Sequence, residues 1–462
     1  MTSRRDFLWQ TGGGLGGVAL AALLADAAEP KLHHPAKARR VVQLFLNGGL
    51  SQPDTFDYKP ELEKRHDQPF DPGTGEKVEG VTSVPGKVMK SPFPFKRHGQ
   101  CGRWVSSVFP HLAGRVDDLA FLMAVASRTN VHGPASYLMN TGFQVPGFPC
   151  LGAWLSYGLG RLSDNLPTFV VLPDGRGLPY NQKGNFSAGF LPAAHQGTIL
   201  TAGAKPPIAD LTPSDKVAGF GGDADRAGLD LLRQINERHA ADRPGDDLLE
   251  ARIASYELAA KMQRHAPEAL DLAREPAAIH HRYGTDDPIT ADFGRRCLLA
   301  RRLLERGVRF VQVWSGAGGP SNNWDNHTNI TTELPAIARS VDRPTAALLA
   351  DLKARGLLDD TLVVCSTEFG RQPFTQGPTG RDHNGGTSVA WLAGAGVKGG
   401  VAYGSSDEWS WRAAEGRTTG YDLHATILQL LGIDHTKLTF RHNGNERRLT
   451  DVHGHVIEPV LA

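Results

Sequence analysis

Short apolar runs rich in β-branched residues alternate with stretches of helical periodicity along most of this chain. Arg40 leads into Val41-Val42-Gln43-Leu44-Phe45-Leu46, which stops abruptly at Asn47-Gly48-Gly49. A run of this kind reads as a buried parallel strand ending in a loop. Similar runs occur at Leu119–Met123, Thr168–Leu172, Phe310–Trp314, Thr361–Cys365 and Val389–Ala393. Helical periodicity falls between them, at Phe293–Arg306, Ala346–Arg355 and Asp422–Leu431. Strands alternating with helices predict an α/β fold: a mixed, mostly parallel sheet sandwiched between helices. Two stretches break the rhythm. Residues 58–100 are rich in proline, glycine and lysine and read as an extended surface excursion. From Asp223 to His281, Leu229, Leu232, Ile235, Ile253, Leu258 and Met262 recur at helical spacing, which predicts a helical insertion or cap beside the sheet. No internal repeat is present.

The N-terminus follows a different grammar. Ser3-Arg4-Arg5-Asp6-Phe7-Leu8 has the form of a twin-arginine export signal, followed by an apolar Gly/Ala-rich stretch from Leu15 to Leu24 and a small-x-small site at Ala25-Asp26-Ala27. The stretch is shorter than the about 20 apolar residues of a membrane span. Residues 1–27 are therefore expected to be a signal peptide read by the twin-arginine export machinery. Residues 28–462 are then a single exported domain, periplasmic or extracellular, without a transmembrane helix in the mature chain.

Composition narrows the function classes. A formal net charge of +1 with 21% charged residues gives no nucleic-acid footprint. The four cysteines, Cys101, Cys150, Cys297 and Cys365, are widely spaced without a C-x-x-C pair, which argues against a cysteine metal site. Cys365 lies within an apolar run and reads as a packed thiol.

In parallel α/β sheets, ligands bind beyond the carboxyl ends of the strands, and the polar residues there are unusual. Asn47 ends the first strand, with Asp54 and Asp57 shortly after; His132 lies in the loop after the second. Trp324-Asp325-Asn326-His327 lies beyond Phe310–Trp314, Glu368-Phe369-Gly370-Arg371 follows Thr361–Cys365, and Arg381-Asp382-His383-Asn384 precedes the next strand. Asp325 and His327 are two apart, so an extended backbone turns both side chains the same way. A carboxylate and an imidazole aimed at one point make half of a tetrahedral metal site. Asp382 and His383 are adjacent and would turn apart, one ligating and the other orienting a neighbour. Imidazole and carboxylate without thiolate suit a divalent metal such as zinc first, or manganese or iron, over magnesium or calcium. Arg371 offers either a forked contact to a phosphate or sulfate oxygen or an ion pair with Glu368 or Asp382. His424 begins an amphipathic helix and reads as a cap or core histidine rather than a ligand.

These motifs resemble the bacterial family called domain of unknown function 1501. The likeness is carried by Phe45-Leu46-Asn47-Gly48-Gly49-x-Ser51-Gln52-x-Asp54-Thr55-Phe56-Asp57, His132-Gly133-Pro134-Ala135, Trp324-Asp325-x-His327, Glu368-Phe369-Gly370-Arg371, Gly380-Arg381-Asp382-His383 and the tail from Asp422 to Gly454. The resemblance implies the alkaline phosphatase/sulfatase-like superfamily, with two metal ions at the strand ends. One would take Asp325, His327 and His383. The other would take a first-strand Asp, an Asp-His pair and the nucleophile. The sequence departs from that second set. Asn47 stands for the Asp, with Asp54 as a substitute, and Glu368-Phe369 stands for the Asp-His pair. His132 and Ser136 replace the cysteine and arginine of the sulfatase signature, which excludes a formylglycine sulfatase.

The sequence thus predicts a metal-dependent hydrolase of phosphate or sulfate esters, small-molecule or polysaccharide. Asp325, His327 and His383 would hold the metal, with Glu368, Asp382, Asn47 and Asp54 as further ligands or supports. Arg371 would bind substrate oxygens. His132 would be an attacking imidazole, a general acid/base or a ligand. The alternative is a non-catalytic periplasmic binding domain descended from the same fold.

Overall fold

The structure is a computed structural model that describes residues 32–73, 75, 78, 80–204, 207–208, 223–243, 249, 253, 257, 261–262, 266–319 and 321–462. The expected signal peptide lies outside the described residues.

Eight strands form one sheet: β1 (Arg40–Leu46), β2 (Leu119–Leu122), β3 (Phe169–Leu172), β4 (Thr198–Ile199), β5 (Phe310–Ser315), β6 (Thr361–Ser366), β9 (Ala390–Ala393) and β10 (Val401–Tyr403), in the spatial order β10-β2-β9-β6-β1-β5-β3-β4. Two further strands, β7 (Gly370–Gln376) and β8 (Gly380–Asn384), form a separate antiparallel hairpin. Every strand of the large sheet pairs in parallel except β9, which runs against both β6 and β2. The sheet is mixed and mostly parallel, as the alternating runs predict.

Alternation with period two divides the strands between two cores. Val42, Leu44 and Leu46 of β1 face the same way as Val311, Val313, Val363 and Cys365, and pack under the helices Ala291–Glu305 and Ile330–Ala354. Val41, Phe45, Phe310, Trp314, Leu362 and Val364 face the opposite layer, which includes the helices Leu151–Leu159 and Gly420–Leu430. Six helices are labelled in chain order: α1 (His132–Thr141), α2 (Leu151–Leu159), α3 (Asp223–Ala241), α4 (Ala291–Glu305), α5 (Ile330–Ala354) and α6 (Gly420–Leu430). Burial on both faces is why the strands read as continuous apolar runs. One polar seam crosses this core: Gln312 Nε2 donates to Gln43 Oε1 at 3.0 Å and to Asn140 Oδ1 at 2.7 Å, which ties β5 to β1 and α1.

Two expectations change. The helix expected at Ala346–Arg355 begins at Ile330 and contains Pro335 and Pro344. Proline in a helix interior costs about 3 kcal/mol. Burial of Ile330, Leu334, Ile337, Val341, Leu348, Leu349 and Leu352 on one stripe outweighs it. Asn329 caps the start by accepting from Thr331 N at 3.2 Å. Within the proline- and glycine-rich stretch, Pro60–Lys64 is helical and Phe95–His98 pairs with Arg103–Ser106 in a hairpin, so these two parts are not irregular loop. In the Asp223–His281 segment, α3 is helical, and a second helix, Ala277–Tyr283, is tied to α5 by Tyr283 Oη donating to Asp351 Oδ2 at 3.0 Å. No helix among the described residues is long and apolar enough to cross a membrane.

Candidate metal centre

The parallel strands β1, β5 and β6 all end at one edge of the sheet, and the loops that leave this edge build the site. After β1 the chain turns through Gly48 and Gly49 at φ +120° and +83°, respectively. A Cβ on Gly48 would lie 2.6 Å from Asp325 N, so the turn packs directly on the loop after β5. That loop is pinned by Trp324, whose backbone N–H donates to Asn47 O at 3.0 Å and whose indole N–H donates to Ser315 Oγ at 3.1 Å. The hairpin β7–β8 lies alongside and sets Arg371 opposite His383 in register. His132 opens α1, after the loop that follows β2.

Four side chains converge here. Ligand atoms of His132, Asp325, His327 and His383 all lie within 4.8 Å of one another. Asp325 Oδ1 is 2.7 Å from His327 Nε2, 3.2 Å from His132 Nε2 and 3.3 Å from His383 Nε2. His383 Nε2 is 3.0 Å from His132 Nε2 and 2.8 Å from His327 Nε2. The opposite edge of each ring is anchored by an oxygen. His383 Nδ1 is 2.7 Å from the Asn130 carbonyl oxygen, which can only accept, so Nδ1 carries the proton. His327 Nδ1 meets Gln376 Oε1, and His132 Nδ1 is 2.7 Å from Glu368 Oε1. Rings held this way turn three Nε2 atoms toward one another and toward a carboxylate. Lone pairs repel at such distances unless a proton or a cation lies between them. Imidazoles anchored through the second nitrogen are the usual support of a metal site. The donor set of nitrogen and carboxylate oxygen fits a divalent transition metal.

The electrostatics agree. Burial alone would raise the Asp325 carboxyl. Arg371 and the three imidazoles outweigh it and hold the group far below the ordinary carboxylate range. Burial lowers His383, and Arg371 adds to the effect against the pull of Asp325. Burial also works to lower His132, but its hydrogen bonds to Asp325 and Glu368 reverse the sign, and the net shift is upward.

The other sequence candidates lie around this group, not within it. Arg371 is fully buried: Nε donates to Gly49 O at 2.9 Å, Nη1 to Arg381 O at 3.1 Å, and Nη2 to Asp325 Oδ1 at 2.5 Å and to Gly48 O. Its ion-pair partner is Asp325, where the sequence offered Glu368 or Asp382. Glu368 Oε1 accepts from Gly48 N at 2.7 Å as well as from His132. Asp382 turns away from the cluster, as adjacency to His383 predicts, and accepts from Val81 N, Thr82 N and Thr82 Oγ1 at 2.8, 3.0 and 2.8 Å. Asp54 is spent on Arg381, with contacts of 2.6 and 3.0 Å. Asn47 donates to Gly316 O and Ala317 O at 3.2 and 3.1 Å, while its buried Oδ1 has no partner. Neither Asn47 nor Asp54 reaches the cluster, and among the described residues no second group of this kind occurs. His424 is buried and bonds Met139 O at 3.0 Å, a core histidine as expected.

Sequence reasoning missed three contributors. Gln376 and the Asn130 carbonyl orient the rings of His327 and His383. Tyr180 stacks on His132 with ring centroids 4.4 Å apart and has its hydroxyl 3.4 Å from Asp325 Oδ2. An amide, a backbone oxygen and a loop tyrosine carry no spacing signature that would have marked them.

Comparison with solved structures finds likeness at low identity. The lipoteichoic acid synthase LtaP from Listeria monocytogenes is 10% identical, with 91% of this chain and 78% of that chain covered and a TM-score of 0.39. An alkaline phosphatase superfamily protein from Vibrio parahaemolyticus is 12% identical, with 87% and 69% covered and a TM-score of 0.36. Alkaline phosphatase from the Antarctic bacterium TAB5 is 11% identical, with 79% and 94% covered and a TM-score of 0.33. A comparison with curated protein sequences gives no match. The model of one protein family, described as a protein of unknown function, DUF1501, matches residues 38–461. That span holds every residue of the cluster and all eight strands of the sheet, so the chain belongs to the DUF1501 family.

Proposed function

We propose that this protein is an exported, metal-dependent hydrolase of phosphate or sulfate esters with a one-metal site. Asp325, His327 and His383 hold the ion, and His132 faces it as the proton-transfer group. The carrying observation is an asymmetry in how the three rings are anchored. His327 and His383 rest on neutral oxygens, those of Gln376 and the Asn130 backbone, whereas His132 rests on the Glu368 carboxylate. A carboxylate partner makes an imidazole more basic and stabilises its cation, as a proton-transfer group requires. A divalent ion at the site supplies Lewis acidity toward an ester oxygen or an attacking water. Within the chain, His132 Nε2 takes a proton from the attacking water and returns it to the leaving oxygen. Glu368 keeps Nδ1 protonated throughout. Arg371 fixes Asp325 and the Gly48-Gly49 turn, and Tyr180 covers the outer face of the His132 ring.

The twin-arginine form of Ser3–Leu8 supports export, since that route carries proteins already folded around a cofactor. The test is a panel of aryl phosphates and aryl sulfates assayed with wild type and His383→Ala in defined zinc, manganese and iron. Metal-dependent turnover that His383→Ala abolishes is the expected result. No turnover by wild type on any of them removes the hydrolase reading.

A second reading rests on a different observation. If His132 also ligates, four side chains complete a tetrahedral shell, the pattern of a structural site with no position left for substrate. The protein would then be a metal-stabilised binding domain. It would hold metal but turn over none of the esters, and His132→Ala would cost as much metal affinity as His383→Ala.

A further inference from the structure

A serine and a histidine that the metal chemistry does not use meet at the opposite edge of the sheet. Ser156 lies in α2 and is 6% exposed, and His195 ends the single turn Ala193–His195. A serine inside a helix commonly turns its hydroxyl back to the carbonyl four residues earlier. Ser156 Oγ instead lies 2.9 Å from His195 Nδ1, across 39 residues of chain. With the ring proton on Nε2, Nδ1 accepts from the hydroxyl. Tyr157 meets the His195 ring edge-on, with centroids 5.7 Å apart, which limits how the ring can turn. Burial lowers the His195 pKa, so the ring is neutral near pH 7 and able to take a proton. Both side chains line a cavity of about 220 Å3, whose described walls also include Arg161, Thr168 and Thr198. Thr168 immediately precedes β3, so this cavity lies at the amino-terminal edge of the parallel strands, whereas the metal cluster lies beyond their carboxyl ends.

We propose that this cavity is a second catalytic site, in which Ser156 and His195 transfer a short acyl group from a carboxylic ester to water. Ser156 Oγ attacks the carbonyl carbon as its proton passes to His195 Nδ1, and an Oγ–C bond forms. The bond to the leaving alkoxide then breaks, and the alkoxide takes the proton from Nδ1. Water attacks the acyl-serine in turn, again losing a proton to Nδ1, and release of the carboxylic acid returns that proton to Oγ. The Arg161 guanidinium and the Thr168 and Thr198 hydroxyls serve as donors to the oxygen on which negative charge develops. Size sets the substrate class. Sites for drug-sized ligands hold about 300–1,000 Å3, and the smaller volume here suits an acetyl-sized acyl group. These steps use no metal, so the site stands or falls apart from the ester chemistry at the cluster.

The test is covalent labelling of the mature chain, as purified, with methanesulfonyl fluoride, which matches an acetyl group in size. Attack by Oγ forms an Oγ–S bond and expels fluoride, so peptide mass spectrometry reports an activated serine without any turnover. The expected result is a label on Ser156 that forms at least about 10²-fold more slowly in His195→Gln. Ser156→Ala should lose the label, and both variants should keep the wild-type metal content. The hydrolysis of 4-nitrophenyl acetate that Ser156→Ala removes should exceed that of the octanoate ester by at least about tenfold. An unlabelled Ser156 in wild type overturns the proposal, as does a labelling rate that His195→Gln, or His195→Phe if the first folds poorly, leaves unchanged. Equal loss of both esters in Ser156→Ala also overturns it.

Discussion

His132 Nδ1 sits 2.7 Å from Glu368 Oε1, and that same oxygen accepts the Gly48 backbone N–H at 2.7 Å. One carboxylate therefore couples a ring of the candidate metal cluster to the turn that ends β1. Of the two roles the sequence offered Glu368, further ligand or support, its hydrogen bond to His132 matches the support.

Glu368→Gln tests that role. The amide keeps the shape but cannot stabilise an imidazolium, so kcat should fall by about 10²–10⁴ while the metal content stays that of wild type. Because the carboxylate raises the His132 pKa, its loss should also move the acid limb of the pH–rate profile to lower pH. A limb that stays in place would assign Glu368 a purely structural role.

Gln376 orients His327 through Oε1, and its Nε2 donates to Thr82 Oγ1 at 3.0 Å, which fixes the amide the right way round. Gln376→Leu should weaken zinc affinity by about 10–100-fold with the fold intact, as loss of a group supporting a ligand typically does. Competition with a chromophoric chelator measures it. Unchanged affinity would remove His327 from the ligand set.

The sequence made some of this legible and hid the rest for physical reasons. Strands buried on both faces leave unbroken apolar runs, so their positions, the mostly parallel sheet and the edge that carries the site could be read directly. Asp325 and His327 were legible because they lie two residues apart beyond a buried strand, and their ligand atoms do converge. Arg371 was visible as a functional candidate, but its orientation was not. Whether a guanidinium turns toward substrate or toward the carbonyls of Gly48 and Gly49 depends on packing between segments far apart in the chain. The same holds for Asp54, where the Arg381 pair could be found only once the β7–β8 hairpin folded over the β1 turn. The first half of α5 was hidden by its two prolines.

His424 offers a check on the fold apart from the chemistry. Burial pushes its pKa down to about 4, against an ordinary 6.5, while its bond to Met139 O works weakly the other way. The folded state thus favours neutral imidazole. Its contribution is fully present above about pH 6.5 and is lost progressively as pH falls toward 4, where the folded form also protonates. A depression of this size corresponds to about 3 kcal/mol. Urea unfolding of metal-free protein between pH 7 and pH 4 should show this decline, and His424→Gln should flatten it. An equally steep decline in the variant would locate the acid sensitivity elsewhere.

The most direct test of the central claim is the metal content of purified protein, measured per chain by inductively coupled plasma mass spectrometry on wild type and on His383→Ala. One divalent transition metal ion per wild-type chain, lost in the variant, is the predicted result. Two ions per chain, or none, or an ion that His383→Ala retains at full occupancy, would contradict it.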